Sequence, residues 1–413
     1  MTDYPTDASG TTFGGDRQFG ATSTSGISPA SLEDVFDDPE HGEPGRDRMG
    51  VHAGVELLLL IAVGVLGFLL WSNHPAVFRG QELRSLLVLI AWLGLLTMGA
   101  GLSLRAAAPN LAVGPVAMAA AVLFAQDGGQ GILPVVGVAT LGAVALGVGV
   151  AVLVVGVHVP AWAASLAAAF VVVVWIQQHS GPITVSGGYD PTRHAFYLVG
   201  GFAALAALGG LFGSIKTVRR ALGRFRPVAD PAHRRGALAG GFAAAALIIS
   251  MVLAAVGGVL VAANAPQVTP TTGLELSGLA LGAALLGGTS VFGRRGGIFG
   301  SLLAVVLLAL FLRYEQAETW RISWYAIAAA LVAAGLVVTR LVEWLGRPRS
   351  ARDGDDDDAE DTWLPSGGVQ PQSGSDWSTT IHDSWSSSLP TQPGIGRSGD
   401  PWSDDRWGSR NAP

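Results

Sequence analysis

The 413-residue chain has no cysteine, a single lysine (Lys216) and only 14% charged residues. Without cysteine it forms no disulfide, carries no thiolate nucleophile and offers no Cys-held metal site. Soluble domains carry about 25% charged residues. A chain that is half hydrophobic with so little charge is an integral membrane protein. The phosphate-cradling pattern Gly-x-x-x-x-Gly-Lys-Ser/Thr is missing as well. The one lysine sits in Ile215-Lys216-Thr217 without the glycines that should precede it, which excludes ATP hydrolysis by a P-loop. No apolar core appears early enough for a cleavable signal peptide, so the first apolar segment is expected to serve as an uncleaved signal anchor. The net charge of −6 says little about partners, because an acidic run at 353–361 supplies much of it.

What is present is a series of ten apolar segments: 51–71, 84–104, 110–125, 132–156, 161–178, 195–213, 236–263, 276–291, 297–312 and 323–345. A full crossing needs about 20 residues. Segments three, eight and nine fall short and are bounded or interrupted by Gly or Pro. Such segments belong inside a bundle, where other protein groups satisfy the freed backbone. The expected fold is all-α and polytopic, with about ten transmembrane helices. Residues 1–50 and 347–413 are polar, lack periodicity and bury too little apolar surface to fold alone, so they are read as cytoplasmic tails.

Arginine placement sets the orientation. With the N-terminus inside, the inner loops collect Arg46, Arg48, Arg105, Lys216, Arg219, Arg220, Arg224, Arg226, Arg234, Arg235, Arg294, Arg295, Arg347 and Arg349. The outer ones hold only Arg79, Arg193, Arg313 and Arg321, with Arg84 at an edge. Both termini are then cytoplasmic. Within the segments, charge is read as confined to edges: Glu56 and Glu343 lie near ends and Glu275 precedes the eighth. Proton- or sodium-coupled carriers need an ionisable group at membrane depth, so this pattern argues against that class. It argues equally against an intramembrane hydrolase; His158 and His179 fall at interfaces and read as solvated loop residues.

Four patches carry a resemblance. Asn110-Leu-Ala-Val-Gly-Pro115 is similar to Asp-Leu-Ser-Val-Gly-Ser; Val159-Pro-Ala-Trp-Ala-Ala-Ser-Leu166 is similar to Val-Pro-x-Phe-Ile-Ala-Thr-Leu; Ser180-Gly-Pro-Ile-Thr184 occupies the place of an external loop; and Gly287, Gly288, Thr289, Ser290, Gly293, Arg295, Gly296, Gly297 and Gly300 match a Leu-Gly-Gly-Thr-Ser…Gly-x-Arg-Gly…Gly pattern. In this order and spacing, over about residues 100–315, they resemble the permease subunits of ribose-type and branched-chain amino-acid-type ABC importers. The resemblance implies a non-enzymatic ten-span subunit that pairs with a second permease copy or paralogue and docks a separate ABC ATPase. It further implies that the subunit receives a small polar, sugar-like solute from an extracytoplasmic binding protein. ATP would enter only through the partner; no other cofactor, metal or nucleic acid is implied. Asn110, Gly114, Gly288 and Thr289 are then expected along the translocation path. The glycine patch also has a plainer reading, a tight turn between two packed helices.

The loop between segments six and seven departs from the family. It is short, and Pro227 and Pro231 limit any docking helix through it. Lys216, Arg219, Arg220, Arg224, Arg226, Arg234 and Arg235 would face the ATPase; the positive-inside rule alone also accounts for them. The altered loop keeps open a second expectation, a permease-like scaffold that no longer transports and recruits cytoplasmic proteins through its tails. Trp363, Trp377, Trp385, Trp402 and Trp407 in the C-terminal tail fit that role, since Trp dominates interface hot spots. The expected location is a bacterial plasma membrane.

Overall fold

The computed structural model describes residues 49–214, 237–289 and 299–345. The two tails, the basic loop at 215–236 and the segment from Ser290 to Ile298 lie outside the described residues. The readings attached to Lys216, Arg219, Arg220, Arg224, Arg226, Arg234, Arg235 and the tail tryptophans therefore concern residues outside this description.

Ten helices coincide with the ten apolar segments: α1 (Met49–Asn73), α2 (Gly80–Arg105), α3 (Val113–Asp127), α4 (Ile132–Ala151), α5 (Ala161–Ile176), α6 (Ala195–Ser214), α7 (Ala237–Ala263), α8 (Leu274–Leu286), α9 (Gly300–Ala317) and α10 (Trp324–Leu345). A single π turn, Val152–Gly156, extends α4. Seven helices are long and apolar enough to cross a membrane; α5 and α8 are shorter apolar helices, and α3 has 15 residues.

Contacts between elements fix how the chain runs. Pairs α1–α9 and α8–α10 lie parallel: Glu56 meets Gly300 while Gly67 faces Leu310, and Gly278, Gly282 and Gly335 face Ala328, Val332 and Leu285 in step. Pair α2–α7 is antiparallel, with Gly99 against Ser250 and Gly257 against Leu96. Parallel packing of helices eight and two apart and antiparallel packing of helices five apart are what strict up-and-down alternation requires.

The connections agree. At one end, two short strands, β1 (Ile183–Thr184) and β2 (Gln267–Val268), pair antiparallel across the α5–α6 and α7–α8 connections. There His74 bonds Glu318 at 3.0 Å, and Gln81 donates to Thr192. Ser186 donates to the Ala125 carbonyl. At the other end, Glu56 accepts from the Phe299 and Gly300 amides.

The burial pattern is that of a protein solvated by lipid. The inner helices α2 and α3 bury most of their length; α7 and α8 line the same centre. The outer helices turn large apolar side chains outward, among them Leu58, Phe68, Leu133, Leu141, Val171 and Leu208. Partly exposed aromatics ring both ends: Trp71, Trp175, Trp320 and Tyr325 at the strand-bearing end, Trp162 and Trp344 at the other. Trp and Tyr favour these positions because their rings sit between hydrocarbon and headgroup. The chain is a membrane-embedded all-α protein.

Two expectations about charge are corrected. Arg340 lies inside α10, and Glu275 lies inside the first turn of α8. The second lies level with the start of α10, since Gly278 faces Ala328 and the Thr272 hydroxyl meets that of Tyr325.

Candidate functional site

One helix, α3, starts in the interior, and the first turns of α8, level with the start of α10, pack against it. After α2 the chain turns back at Ala107, whose φ is +48°, and reaches Asn110, which is fully buried. The Asn110 carboxamide donates to Ser250, the central residue of the 27-residue α7. That contact sets its depth about half-way through the bundle. Its side-chain oxygen accepts from the Ala112 amide at 3.0 Å, an Asx turn that launches α3. Pro115 falls in the first turn of α3, where a missing N–H is harmless. These features explain why the helix begins at Val113 although the apolar run begins at 110.

The connection after α7 also turns back. Residues 264–273 fold back from the strand-bearing end, and α8 begins after Gly273, which is left-handed at φ +71°. Here the two starts meet. Ser277 of α8 accepts from the Gly114 amide at 2.9 Å and donates to the Leu111 carbonyl at 2.8 Å. A Cβ on Gly114 would overlap the Gly273 carbonyl and the Ser277 backbone; only glycine allows the two helix ends to cross. Ser103 accepts from the Asn110 amide and Ser165 from the Leu111 amide. Three hydroxyls thus cap backbone that is irregular where no water is on hand, the condition under which such backbone is tolerated in a membrane.

Beside this crossing lies a cavity of about 400 Å³, reached from the strand-bearing end. The end of α7, the α7–α8 connection and the start of α10 form its walls, and Met118 and Leu276 from the two interior helices contribute to its lining. Glu275 also lines it. This residue is 6% exposed. One carboxylate oxygen accepts from Thr271 at 2.5 Å. The other, Oε2, is buried without a hydrogen-bond partner. Trp324 and Tyr325 complete the wall; Trp324 stacks on Trp92 with ring centres 6.4 Å apart, and the Tyr325 hydroxyl is 3.1 Å from that of Thr272.

The four residues expected along the path separate into two pairs. Asn110 and Gly114 lie in the interior crossing. Gly288 and Thr289 lie at the opposite end of α8, where they close the helix. The Thr289 amide bonds the Ala284 carbonyl and the Gly288 amide that of Leu285, with Gly288 left-handed at φ +85°. This is the Schellman arrangement. Gly287 lets the start of α9 approach, since a Cβ there would press on Gly300 and Ser301 backbone. Thr289 is fully buried, and its hydroxyl has no hydrogen-bond partner. The plainer reading of the glycine patch, a turn between packed helices, describes this geometry for the residues described.

Ser277 and Ser250 belong to the crossing and Glu275 to the cavity lining, and none of the three is among the residues expected along the path. The sequence signal for Glu275 is a lone acid flanked by Thr271, Gly273 and an apolar run, one residue before segment eight.

The fold and this crossing define a class, a polytopic all-α membrane protein with one helix that starts inside the bundle. Comparison with protein-family models, with curated proteins and with solved structures returns no match.

Proposed function

We propose that the chain is a transmembrane permease subunit for a small polar solute, resident in a bacterial plasma membrane. All ten helices would cross or enter the bilayer, with both termini cytoplasmic. The observation that carries this reading is the interior start of α3, packed on the first turns of α8 beside a cavity open to one end. Helices broken at mid-membrane, with their N-terminal amides near a cavity, are how transport proteins place polar recognition groups inside hydrocarbon. The arginine distribution puts the strand-bearing end outside. The energy source is taken from the sequence resemblance: a separate ABC ATPase at the cytoplasmic face, an external solute-binding protein, and a second permease copy or paralogue. The mechanism is alternating access, with ATPase and solute biasing pre-existing inward- and outward-open states.

Purification of the full-length protein from its own host in mild detergent, followed by mass spectrometry, tests the reading. A stoichiometric ABC ATPase is expected. Reproducible absence of any ATPase, with soluble cytoplasmic proteins retained instead, contradicts it and favours the scaffold.

Glu275 supports a second reading. A buried acidic side chain lining the cavity restores the ground for a carrier driven by an ion gradient, the class that the charge pattern of the sequence argues against. ATP-independent uptake into proteoliposomes, abolished by a protonophore or by removal of sodium, would favour it.

A further inference from the structure

We infer that the cavity above α8 binds a neutral solute built on a flat ring that carries one or two polar groups, such as an amide or a phenolic hydroxyl. The inference rests on the transport reading and narrows its small polar solute; the geometry stands without that reading. Charge sets the first limit. Among the described residues, no Lys, Arg or His lines the cavity, so an anion finds no counter-charge. Glu275 is the acid in the lining, and neither of its oxygens stands open and unpaired: Oε1 accepts from Thr271, and Oε2 is buried. Taking an unpaired ion out of water is costly. Neutral solutes remain.

The walls set the second limit. About 400 Å³ is the size of a small-molecule site. Met118, Val268 and Leu276 give it apolar faces, and Trp324 and Tyr325 add rings. Trp92 backs Trp324 with ring planes 11° apart, which holds one aromatic side chain of the wall in place. Offset or edge-on pairing with such a ring favours a flat aromatic solute beyond the area it buries. Gln267, Thr269 and Ser323 supply neutral hydrogen-bonding groups. The Thr271 and Tyr325 hydroxyls are already engaged, with Glu275 and Thr272. One or two polar groups on a solute are met there. A sugar needs a partner for every hydroxyl taken out of water, and apolar and aromatic walls supply few.

Binding of tritiated benzamide to the full-length protein in lipid nanodiscs tests the inference, with empty nanodiscs giving the bilayer background. Saturable binding is expected, displaced by unlabelled benzamide and by phenol. Benzoate and benzylammonium keep the ring and add a charge; ribose stays neutral and lacks the aromatic ring. None of these should displace the label at concentrations where phenol does. Trp324→Ala should weaken binding by about fivefold. Thr269→Trp, at an exposed position in the wall, puts a ring into the cavity and should abolish binding. Absence of saturable benzamide binding overturns the inference. So does displacement by ribose or by either ion as effective as that by benzamide, and so does binding that neither substitution changes. Should Trp324→Ala fail to fold, Thr269→Trp decides alone. The assay contains no ATPase and measures no flux, so its failure leaves the transport reading standing. Failure of the ATPase co-purification in turn leaves this site untouched.

Discussion

The two ends of α8 are both marked by glycine, yet they are built for different things. At the C-terminal end, Gly287 and Gly288 close the helix completely: the last carbonyls are capped by the Gly288 and Thr289 amides, and the α9 backbone packs against the turn. At the N-terminal end, Gly273 lets the first turns of α8 pack against Gly114 beside a cavity that Glu275 helps to line. The closed end has the geometry of a structural joint; the open end has that of a site. A glycine motif by itself does not distinguish them, and neither does an unpartnered buried group, since Thr289 has one at the closed end and Glu275 at the open end; the cavity does.

Substitutions should separate the two ends, and the largest effect belongs to the crossing. Gly114→Val drives a side chain into the Gly273 carbonyl and Ser277. Overpacking costs about 1–3 kcal/mol, occasionally more, and backbone cannot yield here. No monodisperse protein should elute on size exclusion, and a well-behaved Gly114→Val variant would show that the interior helices do not cross this closely. Ser277→Ala is next. It leaves a buried amide unpaired, at about 1–3 kcal/mol, seen as a lowered thermal midpoint with the oligomeric state unchanged.

At the closed end, Gly288→Ala places a Cβ on a left-handed residue. It should cost about 1 kcal/mol and leave solute binding intact; lost binding with unchanged stability would make that end part of the path.

The smallest effect concerns pH. Asp190 caps the turn that leads into α6. The Thr192 hydroxyl, followed by the Thr192 amide and the Arg193 charge, holds its carboxyl below the usual carboxylate range. A depressed folded value means the contribution is present above about pH 4, the ordinary value for Asp, and is lost as pH falls through the lower folded value. Asp190→Asn should therefore flatten the acid limb of the stability curve slightly. An unchanged limb would show that the cap carries no pH dependence.

The number and position of the helices were legible because apolar runs of this length have few other solutions. The starts of α3 and α8 were not. Segment three was placed three residues early, since Asn110, Leu111 and Ala112 are as compatible with an apolar run as with an Asx turn. Segment eight was placed two residues late, since Glu275 reads as a boundary when its neighbours in space are unknown. Ser250 and Ser277 are single hydroxyls in apolar helices, and such residues carry no pattern. Their role appears only where an irregular backbone group from another segment reaches them. The resemblance in the glycine patch drew attention to the end of α8 that is structurally closed.

The absence of native cysteine leaves single-cysteine labelling without background. Thr269→Cys at the cavity and Val157→Cys at the opposite end are both at exposed positions. They would be treated with a membrane-impermeant maleimide in right-side-out and inverted vesicles. The account predicts that position 269 labels only in right-side-out vesicles and position 157 only in inverted ones. Labelling of both positions from the same side, or of position 269 from the cytoplasmic side alone, would contradict a cavity that opens outward above α8.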